Sequence, residues 1–342
     1  MIYILGPCSA ETREQVLLTA SQLKDACGEM PFIYRAGAWK PRTSPHTFQG
    51  AGEQALEWLQ EVKQTYGLPV ATEVATPEHI ARVLQAGIDY LWIGARTSAS
   101  PIAIEAIAEE IKKEQLKGNS LKGVFVKNPV NADAALWLGN IERLEKTGVP
   151  VSAVHRGCNH QPCWSMAHAV RTARPDIPML LDPSHMSGDA AQVPALMGKI
   201  AELGMNGAMV EVHHKPSEAL SDAKQQISPE GLTAALKDRS TERPLTLTDR
   251  YVEGIELNWL RAEIDELDEA LLESVAQRME VSQRIGAWKK THGMTPLQPE
   301  RFQLLLERLK EKGEKREGTS LPAKFVEQLW NIIHEQSLRE QE

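Results

Sequence analysis

The sequence predicts an α/β fold, a (β/α)8 TIM barrel, followed by a second, smaller all-α domain. Three observations predict it. Eight short runs rich in Ile, Val, Leu and aromatic residues recur at intervals of about 30 residues, the length of a strand-plus-helix unit. Polar segments, often bearing Gly or Pro, stand directly after these runs. Beyond residue 250, apolar residues follow a helical period through a long stretch with no proline.

The runs are YIL (3–5), FIY (32–34), PVAT (69–72), YLWI (90–93), GVFV (123–126), PVSAV (150–154), PMLL (178–181) and GAMVEV (207–212). Several are apolar throughout, as strands covered on both faces should be. Stretches between them, such as 50–67 and 76–87, begin with polar caps and end on glycine, as amphipathic helices do. A doubly wound open sheet is the alternative. It would string the polar strand ends along an edge, whereas a barrel gathers them around one axial pocket.

The polar stretch LKDRSTERPLTLTD (236–249) reads as a linker, giving a barrel over 1–238, a linker over 239–250 and a helical domain over 251–342. From Val252 to Lys290 the apolar residues Leu260, Ile264, Leu267, Leu271, Val275 and Met279 mark one helix, about 58 Å long at 1.5 Å per residue. Such a helix cannot be buried alone. Two shorter helices, 299–313 and 321–339, complete an all-helical module expected to be dimeric.

The formal net charge of −8 argues against a nucleic-acid binder. No apolar stretch approaches the roughly 18 residues that span a bilayer, and Met1 runs straight into strand-like sequence without a charged leader, so the cytoplasm is expected. The cysteines Cys8, Cys27, Cys158 and Cys163 form no CxxC pair and read as reduced thiols.

Against this acidic background the strand ends carry Arg35, Lys40, Arg42, Arg96, Lys127 and Arg156. Six cations converging on one pocket repel one another unless an anion sits there, and phosphate or carboxylate groups match guanidinium forks and ammonium charges. Cys8, His185, Glu211 and Asp222 form a second set, whose thiolate, imidazole and carboxylates suit Mn2+, Fe2+, Co2+ or Zn2+. His213 and His214 are rival ligands.

The motifs GPCSAE, RAGAWKPRTSP, GAR, KNP, LDPSH and VEVHH followed by LSDAKQQ resemble, in order and over nearly all of 1–235, those of the 3-deoxy-D-arabino-heptulosonate 7-phosphate (DAHP) synthase family. The segment KPRTS (40–44) differs from the KANRS-like segment of the sister 3-deoxy-octulosonate 8-phosphate synthases. The resemblance implies condensation of phosphoenolpyruvate with erythrose 4-phosphate. It implies that Arg35, Lys40, Arg96 and Lys127 hold phosphoenolpyruvate, with the Gly94 and Ala95 amides beside its phosphate. Arg42, Thr43 and Ser44 would meet the sugar phosphate, and Arg156 a further phosphate. The ion on Cys8, His185, Glu211 and Asp222 would polarise the aldehyde, Lys127 would handle a proton, and Glu73 would orient the attacking water.

On the long helix, Arg278 and Lys289 are 11 residues apart. That is about 20° in rotation and about 16 Å along the axis, so both side chains can close on one small anion. Arg261, 17 residues before Arg278, cannot join them within one chain, but an antiparallel partner helix could supply it. These spacings, with Arg301 twelve residues beyond Lys289, resemble the all-helical chorismate mutase family over 251–342. The resemblance implies rearrangement of chorismate to prephenate, with the cations holding the dicarboxylate and Lys289 meeting the ether oxygen. Phe302 and Gln298 depart from the Glu and Asp of other members. Glu340, with Gln336 one turn earlier, falls where some members carry Gln, and a glutamate there must be protonated to donate, so activity is expected to decline as pH rises through neutrality. A module that only dimerises and senses is the other reading of these helices. The chain opens on the first barrel strand, so feedback by chorismate or prephenate is expected to enter through them.

Overall fold

The computed structural model describes residues 1–40, 46–237 and 249–341, with backbone alone at 249–253. Eight parallel strands pair in sequence order and close, β1 against β8, into a barrel. They are β1 (Ile2–Gly6), β2 (Ile33–Arg35), β3 (Val70–Val74), β4 (Tyr90–Ile93), β5 (Gly123–Lys127), β6 (Val151–His155), β7 (Met179–Leu181) and β8 (Gly207–Glu211). Every expected run is a strand, and closure excludes the open sheet.

The outer helices are α1 (Arg13–Cys27), α2 (Glu53–Tyr66), α3 (Pro77–Gln85), α4 (Ala95–Ser98), α5 (Pro101–Leu116) and α6 (Ala134–Glu145). They continue with α7 (Trp164–Ala173), α8 (Pro183–Ser187), α9 (Val193–Glu202) and α10 (Pro229–Lys237). Their starts follow local chemistry. Thr12, Thr76, Ser100 and Asp133 each accept an amide hydrogen bond as N-cap, and Pro77 and Pro101 open helices where a missing N–H costs nothing.

Inside the barrel each strand contributes one residue to a single apolar cluster: Ile4, Ile33, Ala71, Trp92, Phe125, Val154, Leu180 and Met209. Side chains alternate with period two along a strand, so the residue two further on also points inward, one layer nearer the C-terminal mouth. Those eight residues are Gly6, Arg35, Glu73, Gly94, Lys127, Arg156, Asp182 and Glu211. The core therefore changes from wholly apolar to glycine and charge across one step of the chain.

The rest of the chain is α11 (Asp249–Thr291), α12 (Pro299–Glu314) and α13 (Ala323–Arg339). Two compact units divide at Glu263/Ile264, inside α11. The first turns of α11, expected with the helical module, pack with the barrel because Ile255, Trp259 and Ala262 are buried in its outer core. Most of the expected linker lies outside the described residues. Among the described residues no helix is long and apolar enough to cross a membrane.

Candidate active sites

The charged layer of the barrel floors a cavity of about 330 Å3 lined by Arg35, Lys40, Glu73, Arg96, Lys127 and Arg156, with Gly94, Ala95, His185 and Asp222 also on its wall. The chain thus brings together on one surface most of the residues singled out for the synthase chemistry. Arg42, Thr43 and Ser44 lie outside the described residues. Asn159 and His160, on the loop after β6, also line the cavity, although no sequence signal marked them.

Two glycines make room for this layer. A methyl on Gly94 would stand 2.1 Å from Glu73 Oε1, and one on Gly6 would stand 2.1 Å from the Arg35 carbonyl oxygen. Gly94 leaves the space that the Glu73 side chain fills, and Gly6 lets the backbone of β2 come close to β1.

Arg35 is completely buried. Its Nη2 donates to Glu211 Oε1 at 3.1 Å, and its guanidinium lies 4.5 Å from the centre of the Trp92 ring. Its Nε and Nη1 are buried with no hydrogen-bond partner. A guanidinium with two unsatisfied donors on a cavity wall is prepared for an anion, because leaving them unpaired costs the desolvation of both. Lys40 Nζ stands 3.6 Å from Glu73 Oε2.

Asp182 is a candidate residue that the motif reading missed. Its Oδ2 accepts from Lys127 Nζ at 2.6 Å, and its carboxylate meets His185 Nδ1 at 3.0 Å. It also caps the His185 backbone amide at 3.0 Å. Burial pushes the Asp182 carboxyl up, but the His185 and Lys127 charges outweigh it and hold it well below the usual carboxylate range. Burial draws Lys127 down from the ordinary lysine value, partly offset by Asp182. The period-two rule applied to Leu180 would have found Asp182.

Cys8 Sγ, a Glu211 oxygen and an Asp222 oxygen lie within 4.8 Å of one another. His185 Nε2 is 3.6 Å from Glu211 Oε1. With Nδ1 engaged by Asp182, Nε2 is the nitrogen left to ligate, the arrangement that metal-bound histidines use. The Cys8 thiol donates to Asp222 Oδ2 at 2.9 Å, and burial, with the Glu211 charge, pushes its pKa far up. The four residues fit a divalent ion. Gln225 and Gln226 support them, one donating to Glu211 Oε2 at 2.8 Å and the other accepting from the Cys8 amide at 3.0 Å. Of the rival ligands, His213 accepts from the Lys215 amide at Nδ1, at 2.9 Å, and has a buried Nε2 without a partner, and His214 Nδ1 lies 3.2 Å from Thr19 Oγ1.

In the helical unit, Arg278, Ser282, Gly286 and Lys289 share one face of α11, and α13 runs along it. Arg278 donates to Ser337 Oγ, and Lys289 donates to Gln341 Oε1 at 3.0 Å. A methyl on Gly286 would lie 2.6 Å from the Gln341 Cα, so that glycine lets the end of α13 approach. Ser337 and Gln341, four residues apart, therefore face the two cations. Glu340 and Gln336 do not, and this corrects the expectation placed on them. Glu340 is half-buried and accepts from Gln283 at 2.6 Å and Gln336 at 2.9 Å, bonds that hold its carboxyl below the usual range. One residue of error on a helix is about 100° of rotation, enough to exchange the inner face for the outer one. Arg301 lines an open depression of about 510 Å3 with Arg308, Gln298 stands at the N-cap position of α12 without a side-chain capping bond, and Phe302 stacks on His334 at 3.8 Å. Arg261 is exposed on α11 and groups with the barrel unit.

A closed parallel barrel thus carries, at the C-terminal ends of its strands, a cavity lined by cations next to the cluster of Cys8, Glu211 and Asp222. The family model described as DAHP synthetase I matches residues 1–243, and the one for chorismate mutase type II matches residues 260–342. The chain belongs to the DAHP synthetase I family and carries a chorismate mutase type II domain. It is 32% identical over 235 residues to the phospho-2-dehydro-3-deoxyheptonate aldolase of Thermotoga maritima, across 66% of this chain and 64% of that one. It thus spans less than two thirds of that relative. A 2-dehydro-3-deoxyphosphooctonate aldolase from Azoarcus sp. (strain BH72) is 31% identical over 237 residues, across 64% of this chain and 82% of that one. The crystal structure of the Thermotoga maritima DAHP synthase superposes with a TM-score of 0.60 at 29% identity, covering 70% of this chain and 68% of that one. Its truncated form gives 0.57 at 26% identity, covering 70% and 84%.

Behind the cavity loop, His155 is buried between Trp137 and Trp164, donates from Nε2 to the Pro162 carbonyl at 2.6 Å, and leaves Nδ1 unpartnered. Burial holds its pKa at about 4, against an ordinary 6.5. The unfolded chain therefore binds this proton first: stability is full above about pH 6.5 and is lost as pH falls toward 4. The loss approaches about 3 kcal/mol, and His155→Gln should flatten that part of a stability-versus-pH curve measured by urea unfolding.

Proposed function

We propose that this chain condenses phosphoenolpyruvate with erythrose 4-phosphate to give DAHP and phosphate, and that its helical unit rearranges chorismate to prephenate. The observation that carries the first reaction is the ring of inward positions, which sets Arg35, Lys127 and Arg156 around one cavity beside Cys8, His185, Glu211 and Asp222. Arg35 and Lys127 hold the carboxylate of phosphoenolpyruvate, while Lys40, Arg96 and Arg156, with the amides at Gly94 and Ala95, hold phosphate. A divalent ion on the four ligands (Mn2+, Fe2+, Co2+ or Zn2+) would supply Lewis-acid polarisation of the aldehyde. C3 of phosphoenolpyruvate then bonds to the aldehyde carbon, and Lys127, steadied by Asp182, delivers a proton to the resulting oxygen. Glu73 holds the water that adds at C2 before phosphate leaves.

Incubation of the purified chain with both substrates tests this reading. Consumption of phosphoenolpyruvate should stop with chelator and return with added ion, and Asp182→Asn should weaken metal binding in a calorimetric titration by about 10- to 100-fold. Turnover with a five-carbon sugar phosphate and not with erythrose 4-phosphate would assign the barrel to the octulosonate branch instead.

For the second reaction, Arg278 and Lys289 bind the two carboxylates and the ether oxygen of chorismate, and Ser337 and Gln341 complete their surroundings. Arg301 and Gln298 close the site as the loop before α12 adjusts, and Arg261 of the partner subunit completes it in a homodimer. The apolar row Ile264, Leu267 and Leu271, exposed on α11, supports such a dimer. Gln341→Ala should lower kcat/KM for chorismate by about 100-fold. Glu340→Gln should leave it within about threefold, with the wild-type rate showing no step assignable to residue 340 between pH 5 and 9. The opposite pattern would restore Glu340 to the site.

A further inference from the structure

The part of α11 that packs on the barrel is held by an arrangement the two reactions do not use. His168, on α7, presents both ring nitrogens to carboxylates of α11: Nδ1 lies 2.6 Å from Glu263 Oε1 and Nε2 lies 2.9 Å from Glu256 Oε1. Glu256 and Glu263 are seven residues apart, so about 20° apart around the helix and on one face. Between them Trp259 stacks on the His168 ring, at 5.6 Å and 12° between planes, and donates from Nε1 to the Leu203 carbonyl at 3.1 Å. A neutral imidazole carries one N–H and can satisfy only one carboxylate. An imidazolium carries two and satisfies both with charge-assisted bonds.

Other charged groups on the packed elements are paired or turned to solvent, Arg261 of α11 being exposed. Arg171 of α7 donates to the Gly204 carbonyl at 2.8 Å, and Lys199 and Glu202 of α9 pair at 2.8 Å. The imidazole side chain is 12% exposed, against 26% for Glu263 and 59% for Glu256, so the proton has a route in while the ring stays packed.

This contact reaches the cavity through aromatic rings. Trp259 meets Trp164 edge-on at 5.9 Å, and Trp164 meets His155 at 5.5 Å. Trp164 is the first residue of α7 and directly follows the loop that sends Arg156, Asn159 and His160 to the cavity wall. The backbone of that loop is tightly folded, with reciprocal bonds of 2.8 and 2.9 Å between Cys158 and Gln161 and left-handed backbone at Asn159, His160 and Cys163. A loop so constrained has few ways to move without its anchor at Trp164.

We propose that His168 is a proton-dependent clasp, which when protonated pins residues 254–263 of α11 to the barrel and steadies, through Trp259 and Trp164, the Arg156 loop of the cavity. Loss of the ring proton leaves one N–H for two carboxylates and so frees one side of the clasp. The clasp makes the barrel's hold on the first turns of α11 a variable that the proton concentration sets.

Hydrogen–deuterium exchange on the full chain at about pH 6 and about pH 8.5, corrected for the intrinsic pH dependence of exchange, tests it. Amides in 255–263 and in 156–163 should both lose protection at the higher pH, by about tenfold in the former. A Glu256→Gln, Glu263→Gln double variant, which keeps Trp259 and the helix, should show low protection at both pH values and no pH response, and His168→Gln should do the same. Wild-type protection of 255–263 that ignores pH, or a double variant that keeps the wild-type response, overturns the clasp. A response in 255–263 with none in 156–163 overturns the link to the cavity.

Discussion

The constraint on which the barrel chemistry depends is the two-residue alternation of strands that close into a ring. Eight apolar residues, one per strand, fill the barrel, and the residues two positions on are forced into the same interior one layer nearer the mouth. Nothing else in the chain could gather Arg35, Glu73, Lys127, Asp182 and Glu211, which are spread over more than half of it. The apolar layer beneath also sets their energetics. Trp92 lies under the Arg35 guanidinium, so that charge rests on an aromatic face and away from water.

Buried charges are tolerated only when each answers another. Here Arg35 answers Glu211 at 3.1 Å, Lys127 answers Asp182 at 2.6 Å, and Lys40 stands by Glu73 at 3.6 Å. The pairing is incomplete on purpose-built edges: two donors of Arg35 have no partner, and Arg96 and Arg156 add positive charge around the same cavity. The excess is local, in a chain whose net charge is −8. Asp182 and Glu211 each join both groups of residues, since each touches His185 and one of the cations that line the cavity. In the proposed reaction the same two carboxylates would set the geometry of ion and substrate.

Strands and helices were legible because their signals are local. Runs such as YLWI and GVFV are apolar on both faces, and capping residues such as Thr76 and Ser100 stand next to the helices they start. Residues in quoted motifs, such as Arg35 and His185, were legible for the same reason. Asp182 stood inside the motif LDPSH but escaped, because its role depends on Lys127, 55 residues away. Gln341 escaped because rotational register on α13 depends on how closely that helix approaches Gly286 of α11, which no spacing within α13 reveals. The division of α11 escaped as well. Its apolar period continues unbroken past residue 263, while the burial of Ile255 and Trp259 is decided by Gly204 and Leu203 of the barrel.

The measurement that bears most directly on the account is the affinity of the wild-type chain, Arg35→Lys and Arg35→Met for phosphoenolpyruvate, by calorimetric titration with near-ultraviolet circular dichroism as a check on folding. If the unpaired donors of Arg35 are the anchor of the anion cavity, the Met variant should keep its fold and lose about 100-fold or more in affinity. The Lys variant should recover only part of that, because an ammonium restores the charge without the fork. A folded Arg35→Met chain that binds phosphoenolpyruvate within about threefold of wild type would contradict the account.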